Sequence, residues 1–430
     1  MNKKIPILII THNIPYPLDS GGNISQFALL VELQKYMDIT LVLTIHKESE
    51  SEIISKLKSN LSQVNIKVIN LSKKNLQTKQ HLICKRAKNL IKALIYSMIL
   101  IKNDRNVQVV NRQTDEFDLP YRLQPIYLKN KTFIESLSNI IEDKIYKIIQ
   151  IEFFEFLELI NFIPLTSKTV FVHHEIRFER LLKSSKIDNA NKSFNKYIVN
   201  TIKSVELNML SKYNTIITFS EYDKNLLSSL LDRNIEAIPF PVLKEEFNFS
   251  IIDLKIDKLI FIGSDQHYPN KDGVDWFIRD VYDEIWKIYQ LPFYIIGKWS
   301  VEMKAKYKHD KRIIFVGFVE NLSPYYKNSI SIVPVRIVSG IRAKILYAMA
   351  NRSPVISSKN GVEGIELHEG VHFLQADSRN EFLAAIKKLF ENCTLIKNIT
   401  DNAFDYVLKN YHPDVIVKKR LELYAKLINN

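Results

Sequence analysis

A short segment near the end of the chain combines two cations with the start of a predicted helix. The letters SGIRAKILYAMANRSPVISS, from Ser339 onward, predict a turn, a short helix capped by Ser339, and a buried strand. Arg342 and Lys344 fall in the first turn, where Gly340 and Ile341 offer free backbone N–H groups. A helix N-terminus already has positive potential, so two further cations there indicate a bound anion, most simply a phosphate group. An ordinary surface helix carrying an arginine and a lysine is the alternative interpretation.

Glycine-containing loops follow one predicted strand in each half of the chain. Gly21 and Gly22 lie in the loop PYPLDSGGN after the first strand, and Gly263 ends the strand KLIFI. A backbone without side chains can approach a phosphate or a sugar closely. A plain turn is the alternative for the pair at Gly21.

Two histidines follow the predicted strand TVFV. Side chains at the carboxyl ends of parallel strands face the ligand cleft of such folds. His174 is therefore a candidate for ordering an acceptor or for proton transfer. His173, Glu175 and Arg177 are candidates for acceptor binding. Glu152 follows another strand and is a weaker candidate, because an exposed carboxylate at that position is equally common.

The elements that must position these residues alternate between strand and helix. Continuous apolar runs predict buried parallel strands at 5–11, 39–44, 148–151, 169–172, 215–219, 258–262, 293–296, 313–316, 331–335 and 355–358. This pattern predicts an α/β protein with two doubly wound, Rossmann-like units facing a cleft. The predicted domains are 1–243, which would bind the acceptor, and 244–411, which would bind the donor, followed by a helix at 412–430.

Composition narrows the classes of function. The chain has 430 residues, enough for two domains, and only two cysteines, Cys84 and Cys393, so no disulfide framework is predicted. No D-x-D, C-x-x-C or H-E-x-x-H pattern occurs, so neither a metal site nor a cofactor is expected. The N-terminal apolar run is too short for a signal peptide or a spanning helix, which predicts a cytoplasmic protein.

The net charge of +13 is concentrated in one stretch. Between 53 and 103 there is no Asp or Glu, but there are ten lysines and Arg86. Part of this stretch, CKRAKNLIKALIYSMILIK, alternates basic and apolar residues at near-helical spacing, which suits a helix on an anionic membrane surface. A partly buried helix with solvated lysines is the alternative. Nucleic acid is not expected as a partner, because no recognised binding motif accompanies the charge.

The segment from Ser339 also resembles the donor-binding motif of retaining glycosyltransferases of family 4, usually G-x-R-x-K-x-L-E-A-M-A-x-G-x-P-V-V. Further blocks resemble that family in the expected order: PYPLDSGGN from Pro15, FVHHEIRFER from Phe171, TFSEYDK from Thr218, FIGSDQHYPNKDGVDWF from Phe261, FVGFVENLSPYYKNSISIVPV from Phe315 and GVEGIE from Gly361. The resemblance implies the GT-B fold, a nucleotide-sugar donor, and a C-terminal helix that returns to the N-terminal domain.

The resemblance also assigns roles to individual residues. It implies that Arg342 and Lys344 neutralise the leaving diphosphate, and that Glu363 holds a sugar hydroxyl. It implies that the segment Gly317, Phe318 and Val319 contacts the nucleotide base. It also implies that Asn270, whose HYPN sequence resembles an H-x-P-N variant of the family's second glycine loop, contacts the donor. The family's ribose-binding Glu is Tyr347 here, whose hydroxyl could contact ribose but supplies no carboxylate.

The sequence therefore predicts a glycosyltransferase that uses a nucleotide sugar, UDP- in preference to GDP-, and a saccharide or lipid-linked acceptor. Bacterial surface polysaccharide or glycolipid assembly, at the inner face of the cell membrane, is the implied setting. Two alternatives stay open at this point. One is a nucleotide-sugar epimerase of the same fold, and the other is a degenerate transferase acting as a partner subunit.

Overall fold

The computed structural model of the chain describes residues 4–47, 50–71, 126–164, 166–185, 192–248, 255–336 and 340–429. Most of the acid-free basic stretch, from 72 onward, lies outside these residues, and so does Ser339. Within the described residues the chain forms two parallel sheets. The first has seven strands in the order β3-β2-β1-β4-β5-β6-β7, and the second has six in the order β10-β9-β8-β11-β12-β13.

The strands are β1 Ile5–Thr11, β2 Met37–Ile45, β3 Asn65–Asn70, β4 Ile148–Glu152, β5 Lys168–His173, β6 Thr215–Thr218, β7 Asn234–Ala237, β8 Lys258–Ile262, β9 Phe293–Ile296, β10 Ile313–Gly317, β11 Ser329–Val333, β12 Val355–Ser357 and β13 Leu374–Gln375. The helices are α1 Gly21–Leu33, α2 Glu50–Asn60, α3 Lys131–Glu142, α4 Arg177–Ser185, α5 Lys192–Leu210, α6 Glu221–Ser228, α7 Tyr268–Phe277, α8 Asp283–Tyr289, α9 Val301–Tyr307, α10 Ser323–Tyr326, α11 Ala343–Ala350, α12 Arg379–Glu391, α13 Cys393–Tyr411 and α14 Pro413–Asn429.

Both faces of each sheet are buried, as continuous apolar strands require. In β1, Ile7 and Ile9 belong to one hydrophobic cluster, whereas Leu8 and Ile10 belong to another on the opposite face. The second sheet alternates in the same way. The predicted fold class, two Rossmann-like units of the GT-B type, is confirmed.

The chain crosses between the two sheets twice, and a backbone hydrogen bond joins the two crossing segments. The first follows β7 and the second lies where α13 meets α14. The amide of Val242 in the first crossing donates to the carbonyl of Tyr411 in the second, with 2.9 Å between N and O. Helix α14 then packs on α1 of the first sheet, burying Ile416 and Val417. The predicted domain boundaries at 243 and 411 stay predictions.

One local prediction is wrong. The helix expected to open at Ser339 and Gly340 begins at Ala343, with Arg342 as the N-cap residue. Gly340 has φ of +74°, a left-handed conformation that no helical residue adopts. The two cations therefore lie at the N-cap and the second helical position. None of the helices in the described part of the chain combines the length and apolar character that crossing a bilayer requires.

Candidate active site

A cavity of about 1130 Å³ lies between the two sheets. Its walls are built from residues that directly follow strands: His12 after β1, Phe153 after β4, His174 after β5, Gly263 after β8 and Phe318 after β10. The carboxyl ends of parallel strands are where ligands bind in doubly wound folds. The strand ends that carry the candidates His174, Gly263 and Phe318 therefore converge on one site.

Three helices direct their N-termini at this cavity. Gly21 of α1, Tyr268 of α7 and Ala343 of α11 each begin a helix and each line the cavity. A Cβ placed on Gly21 would lie 3.7 Å from the Cβ of Ala343, so two of these N-termini meet across the cleft. Each N-terminus presents unpaired N–H groups and partial positive charge, so the cavity favours an anion.

Lys344 is the most unusual charge in the cavity. Its ammonium donates to Asn270 Oδ1 at 2.8 Å and lies 3.9 Å from the centre of the Phe261 ring. No carboxylate among the described residues lies within ion-pairing distance of it. Burial, together with the charge of Arg342, lowers the pKa of Lys344 well below its usual value. A buried ammonium without a carboxylate is costly for an empty site, and a bound phosphate would remove that cost.

Arg342 lies beside Lys344 and is also buried. Its guanidinium donates to the carbonyl of Gly340. Burial lowers the pKa of Arg342 to about 10, although the carboxylates of Glu175, Glu363 and Asp223 act in the opposite direction. The two predicted phosphate-binding cations thus lie together in the cavity, and they differ in how far protein carboxylates compensate their charge.

Close packing requires glycine at two positions beside the cavity. A Cβ on Gly263 would lie 2.9 Å from the Lys344 ammonium and 2.7 Å from Asn270 Nδ2. A Cβ on Gly340 would lie 2.9 Å from the carbonyl oxygen of His174 in the other domain. Both residues also have positive φ. Glycine at 263 therefore admits the lysine, and glycine at 340 brings the loop before α11 against the N-terminal domain.

His174 is anchored by Glu152. Its Nε2 lies 3.0 Å from Glu152 Oε2, and its side chain is 10% exposed, toward the cavity. The ring stacks on Phe153 with 3.8 Å between centroids and contacts Phe219 edge-on. Phe153 has φ of +68°, a strained backbone held directly beside the histidine. Glu152, the weaker candidate from the sequence, is buried and positions His174 rather than facing solvent.

His173 does not reach the cavity, which corrects its assignment to the acceptor. It is the last residue of β5, and successive strand residues face opposite sides of the sheet. Its Nε2 lies 2.8 Å from Glu206 in the fully buried layer behind the sheet. This pair ties α5 to β5.

Glu175 and Arg177 do line the cavity, but both are paired. Arg177 donates to Glu155 at 2.6 Å, and Glu175 pairs with Arg180. Burial opposes ionisation of Glu175, but the positive charges of Arg180 and Arg177 outweigh it and lower its pKa. The N-terminal wall of the cavity is therefore polar with its charges largely compensated.

The remaining donor-binding candidates differ in where the structure places them. Gly22, Asn270, Phe318, Val319 and Ile341 line the cavity. Gly317 and Gly340 lie beside it without lining it, and Ser339 lies outside the described residues. Tyr347 also lines the cavity although its hydroxyl is hydrogen-bonded to the backbone, whereas Glu363 does not line it. The Tyr347 hydroxyl accepts from the Leu243 amide at 3.4 Å, and the Glu363 carboxylate pairs with Lys183 across the domain boundary.

Sequence reasoning missed several wall residues on the N-terminal side. His12, Asn13 and Glu155 line the cavity, and Asp19 pairs with Lys298 of the second domain at 2.6 Å. The position of His12 and Asn13 directly after the first apolar strand was the available signal. The part of the chain that the structure describes contains no group of three or more histidine, cysteine or acidic side chains arranged to hold a metal ion.

Comparisons with known proteins agree with this geometry. Residues 256–392 match the family model described as glycosyl transferases group 1. A curated relative, an uncharacterised 44.6 kDa protein in cps region from Klebsiella pneumoniae, is 28% identical over 217 residues, which cover 46% of this chain and 55% of the relative. The chain thus spans about half the length of that relative.

Solved structures match almost the whole chain. Sucrose-phosphate synthase from Thermosynechococcus elongatus has a TM-score of 0.68 at 15% identity, covering 99% of this chain and 100% of that one. TarM has a TM-score of 0.64 at 15% identity, covering 98% and 99%. Anabaena HepE in complex with UDP-glucose has a TM-score of 0.62 at 12% identity, covering 98% and 100%. At these identities the matches show the GT-B fold, and the match to the family model is confined to residues 256–392.

Proposed function

We propose that this protein transfers a sugar from a nucleotide-sugar donor to a saccharide or lipid-linked acceptor, with retention of the anomeric configuration. The observation that carries the proposal is the buried ammonium of Lys344, which has no carboxylate within ion-pairing distance among the described residues, at a point where helix N-termini converge. A diphosphate supplies the negative charge that this position favours. The ordered blocks that resemble family 4 transferases support retention.

In this proposal the donor lies on the C-terminal wall. Arg342 and Lys344 bind its diphosphate, and the base lies near Phe318 and Val319. UDP is preferred over GDP in this proposal, because HepE of the same fold is a complex with UDP-glucose. With the Tyr347 hydroxyl turned toward Leu243, the ribose has no side-chain carboxylate from the helix α11.

The transfer step follows from these positions. The acceptor oxygen forms a bond to the anomeric carbon on the same face from which the diphosphate leaves, so configuration is retained, and the bond from that carbon to the phosphate oxygen breaks. The electron pair leaves with the diphosphate, whose growing charge Arg342 and Lys344 stabilise. The acceptor proton passes to the imidazole of His174, on the N-terminal wall, while Glu152 stabilises the resulting cation.

The setting of the reaction is part of the proposal. A relative in cps region supports a role in surface polysaccharide or glycolipid assembly. The basic stretch of 53–103 would then hold the N-terminal domain at the anionic inner face of the membrane, where lipid-linked acceptors lie.

The decisive experiment is calorimetric titration of the purified full chain with UDP and GDP, followed by a screen of UDP- and GDP-sugars for release of the nucleotide. UDP binding that Arg342→Ala and Lys344→Ala each weaken by at least about tenfold would support the site. Unchanged affinity in both variants would refute the phosphate assignment. Binding without turnover of any sugar would favour a partner subunit that has lost activity.

A second function has one observation in its favour. His12, His174, His267, Glu155 and Glu175 all line the cavity, and an epimerase needs such groups to move a proton on the donor sugar. Incubating nucleotide sugars with the protein in deuterated water, without acceptor, distinguishes the two reactions. Epimerisation puts deuterium into the sugar, whereas glycosyl transfer leaves its carbon-bound hydrogens in place.

A further inference from the structure

The last helix of the chain places one hydroxyl beneath the candidate active site. Tyr424 of α14 is buried, and its hydroxyl donates to Gln150 Oε1 at 2.5 Å. The two residues are separated by 274 positions in sequence. Burial raises the pKa of the Tyr424 hydroxyl, so it stays protonated and serves as a donor.

From Gln150 the hydrogen bonds continue to the cavity. Gln150 and Glu152 lie two residues apart on β4 and so face the same side of the sheet. The Gln150 amide donates to Glu152 Oε1 at 2.6 Å, and Gln26 donates to Glu152 Oε2 at 2.9 Å. The same Oε2 faces His174 Nε2 at 3.0 Å. Tyr424 is thus joined through Gln150 and Glu152 to the candidate proton acceptor, and the buried guanidinium of Arg420 also acts on its hydroxyl.

The direction of each donor in this chain is determined. Because the tyrosine hydroxyl donates to Oε1 of Gln150, the amide nitrogen must face Glu152. Both Glu152 oxygens accept from side-chain amides, so the carboxylate acts as an acceptor toward His174 as well, and His174 donates to it through Nε2. Among the described residues Nδ1 makes no hydrogen bond, and His174 reaches the cavity.

We propose that Tyr424 is a positioning residue, which sets the tautomer and orientation of His174 through Gln150 and Glu152. This inference rests on the proposed function, because in that function His174 takes the proton from the hydroxyl group of the acceptor substrate. Loss of the hydroxyl leaves Gln150 Oε1 buried without a donor, and the amide then rotates or admits water. Glu152 loses a fixed donor, and His174 loses the carboxylate geometry that selects its tautomer.

The test uses the full chain carrying Tyr424→Phe, which keeps the ring and removes only the hydroxyl. Tyr213→Phe is the matched control, because Tyr213 is equally buried in the same domain and its hydroxyl donates instead to the Leu157 carbonyl at 2.9 Å. The first measurement is the 15N spectrum of labelled imidazoles, with the His174 signal assigned by its loss in His174→Asn. It needs no substrate.

We expect wild type and Tyr213→Phe to show a single neutral tautomer of His174 protonated at Nε2, and Tyr424→Phe to show both tautomers. An unchanged His174 spectrum in Tyr424→Phe overturns the proposal, whatever the kinetics. Gln150→Leu breaks the same chain one step closer to the histidine and should reproduce the spectrum of Tyr424→Phe.

Kinetics provide the second readout. With the best nucleotide sugar, Tyr424→Phe should lower kcat by at least about tenfold, while donor KM and the Kd for UDP stay within about twofold. Adding Gln150→Leu should lower kcat no further, because both changes remove one interaction. An equal fall in Tyr213→Phe would indicate general destabilisation and refute the positioning role. If the wild type turns over no sugar, the proposed function fails while the spectrum still decides the present inference.

Discussion

Replacing Lys344 with methionine should make the empty protein more stable and a worse binder of nucleotide diphosphates. Methionine has nearly the length of lysine and packs well against an aromatic ring, here that of Phe261. The change removes a buried ammonium whose pKa is held well below its usual value by burial and by Arg342. Exchanging buried charges for apolar groups of similar volume stabilises proteins by about 1–4 kcal/mol.

The expected magnitudes follow from these contacts. A gain of about 1 kcal/mol corresponds to a rise in melting temperature of about 2–4 °C for a domain of this size. The lost hydrogen bond to a charged phosphate is worth about 1.5–3 kcal/mol, which is a weakening of about 10- to 150-fold in Kd. Differential scanning fluorimetry measures the first effect, and calorimetric titration with UDP and GDP measures the second.

The sign of the pH dependence gives a further check. The folded protein holds the pKa of Lys344 below its unfolded value, so between the two the unfolded chain binds more protons. The loss of folding stability caused by the buried charge of Lys344 is therefore largest at low pH and becomes smaller as pH rises above the lowered pKa. The stability advantage of Lys344→Met over wild type should shrink in the same direction.

Lys304→Met is the matched control, because Lys304 lies in α9 of the same domain and is exposed. It should change neither melting temperature nor UDP affinity. A Lys344→Met protein that binds UDP as well as wild type would refute the account of Lys344 as a phosphate ligand. A lower melting temperature would mean that the ammonium stabilises the empty fold.

Four further outcomes are expected. Gly263→Ala should abolish UDP binding, because its Cβ would displace the Lys344 ammonium, whereas Gly370→Ala, also at positive φ but with open space around it, should retain binding; titration calorimetry compares the two. UDP binding should take up protons, because a bound diphosphate raises the lowered pKa of Lys344, and UDP affinity should therefore fall as pH rises. Calorimetric titrations in buffers of different ionisation enthalpy measure this proton uptake, and its absence would contradict the prediction. Sugar transfer should persist in EDTA, because protein cations neutralise the diphosphate, and loss of activity restored by magnesium or manganese would contradict it. Wild type should co-sediment with anionic liposomes more at low salt than at high salt. Replacing four basic residues of the stretch 53–103 with glutamine, namely Lys85, Arg86, Lys88 and Lys92, should release the protein from the liposomes. Equal sedimentation of both proteins would show that these residues form only a solvated surface.

The central strands could be predicted from the sequence, but three edge strands could not. Strands such as β1, β8 and β12 are buried on both faces, so their residues form continuous apolar runs that identify them directly. β3, β7 and β13 each end a sheet and carry mixed or very short sequences such as NIKVIN and NIEA. An edge strand has one neighbour and a partly solvated face, so it does not need an apolar run, although β10, also at an edge, has one in IIFV.

The candidate site residues also divide into those that could be predicted from the sequence and those that could not. The candidates at strand ends, such as His174 and Gly263, could be found because parallel topology carries every strand end to one edge of a sheet. The exact start of α11 could not, because it depends on Gly340 packing against the His174 carbonyl of the other domain. Types and positions of the candidate residues were therefore local information, while the register of the helix was not.

Partners of the charged side chains were decided only by the tertiary structure. His173 pairs with Glu206, Glu363 pairs with Lys183, and Lys344 is left without a carboxylate among the described residues. Each pairing joins segments that the chain separates by tens to hundreds of residues, and no local pattern encodes which of two neighbouring histidines turns inward. Sequence alone determined which residue types stand at the strand ends. Folding determined which of their charges are compensated, and so which remain available to a substrate.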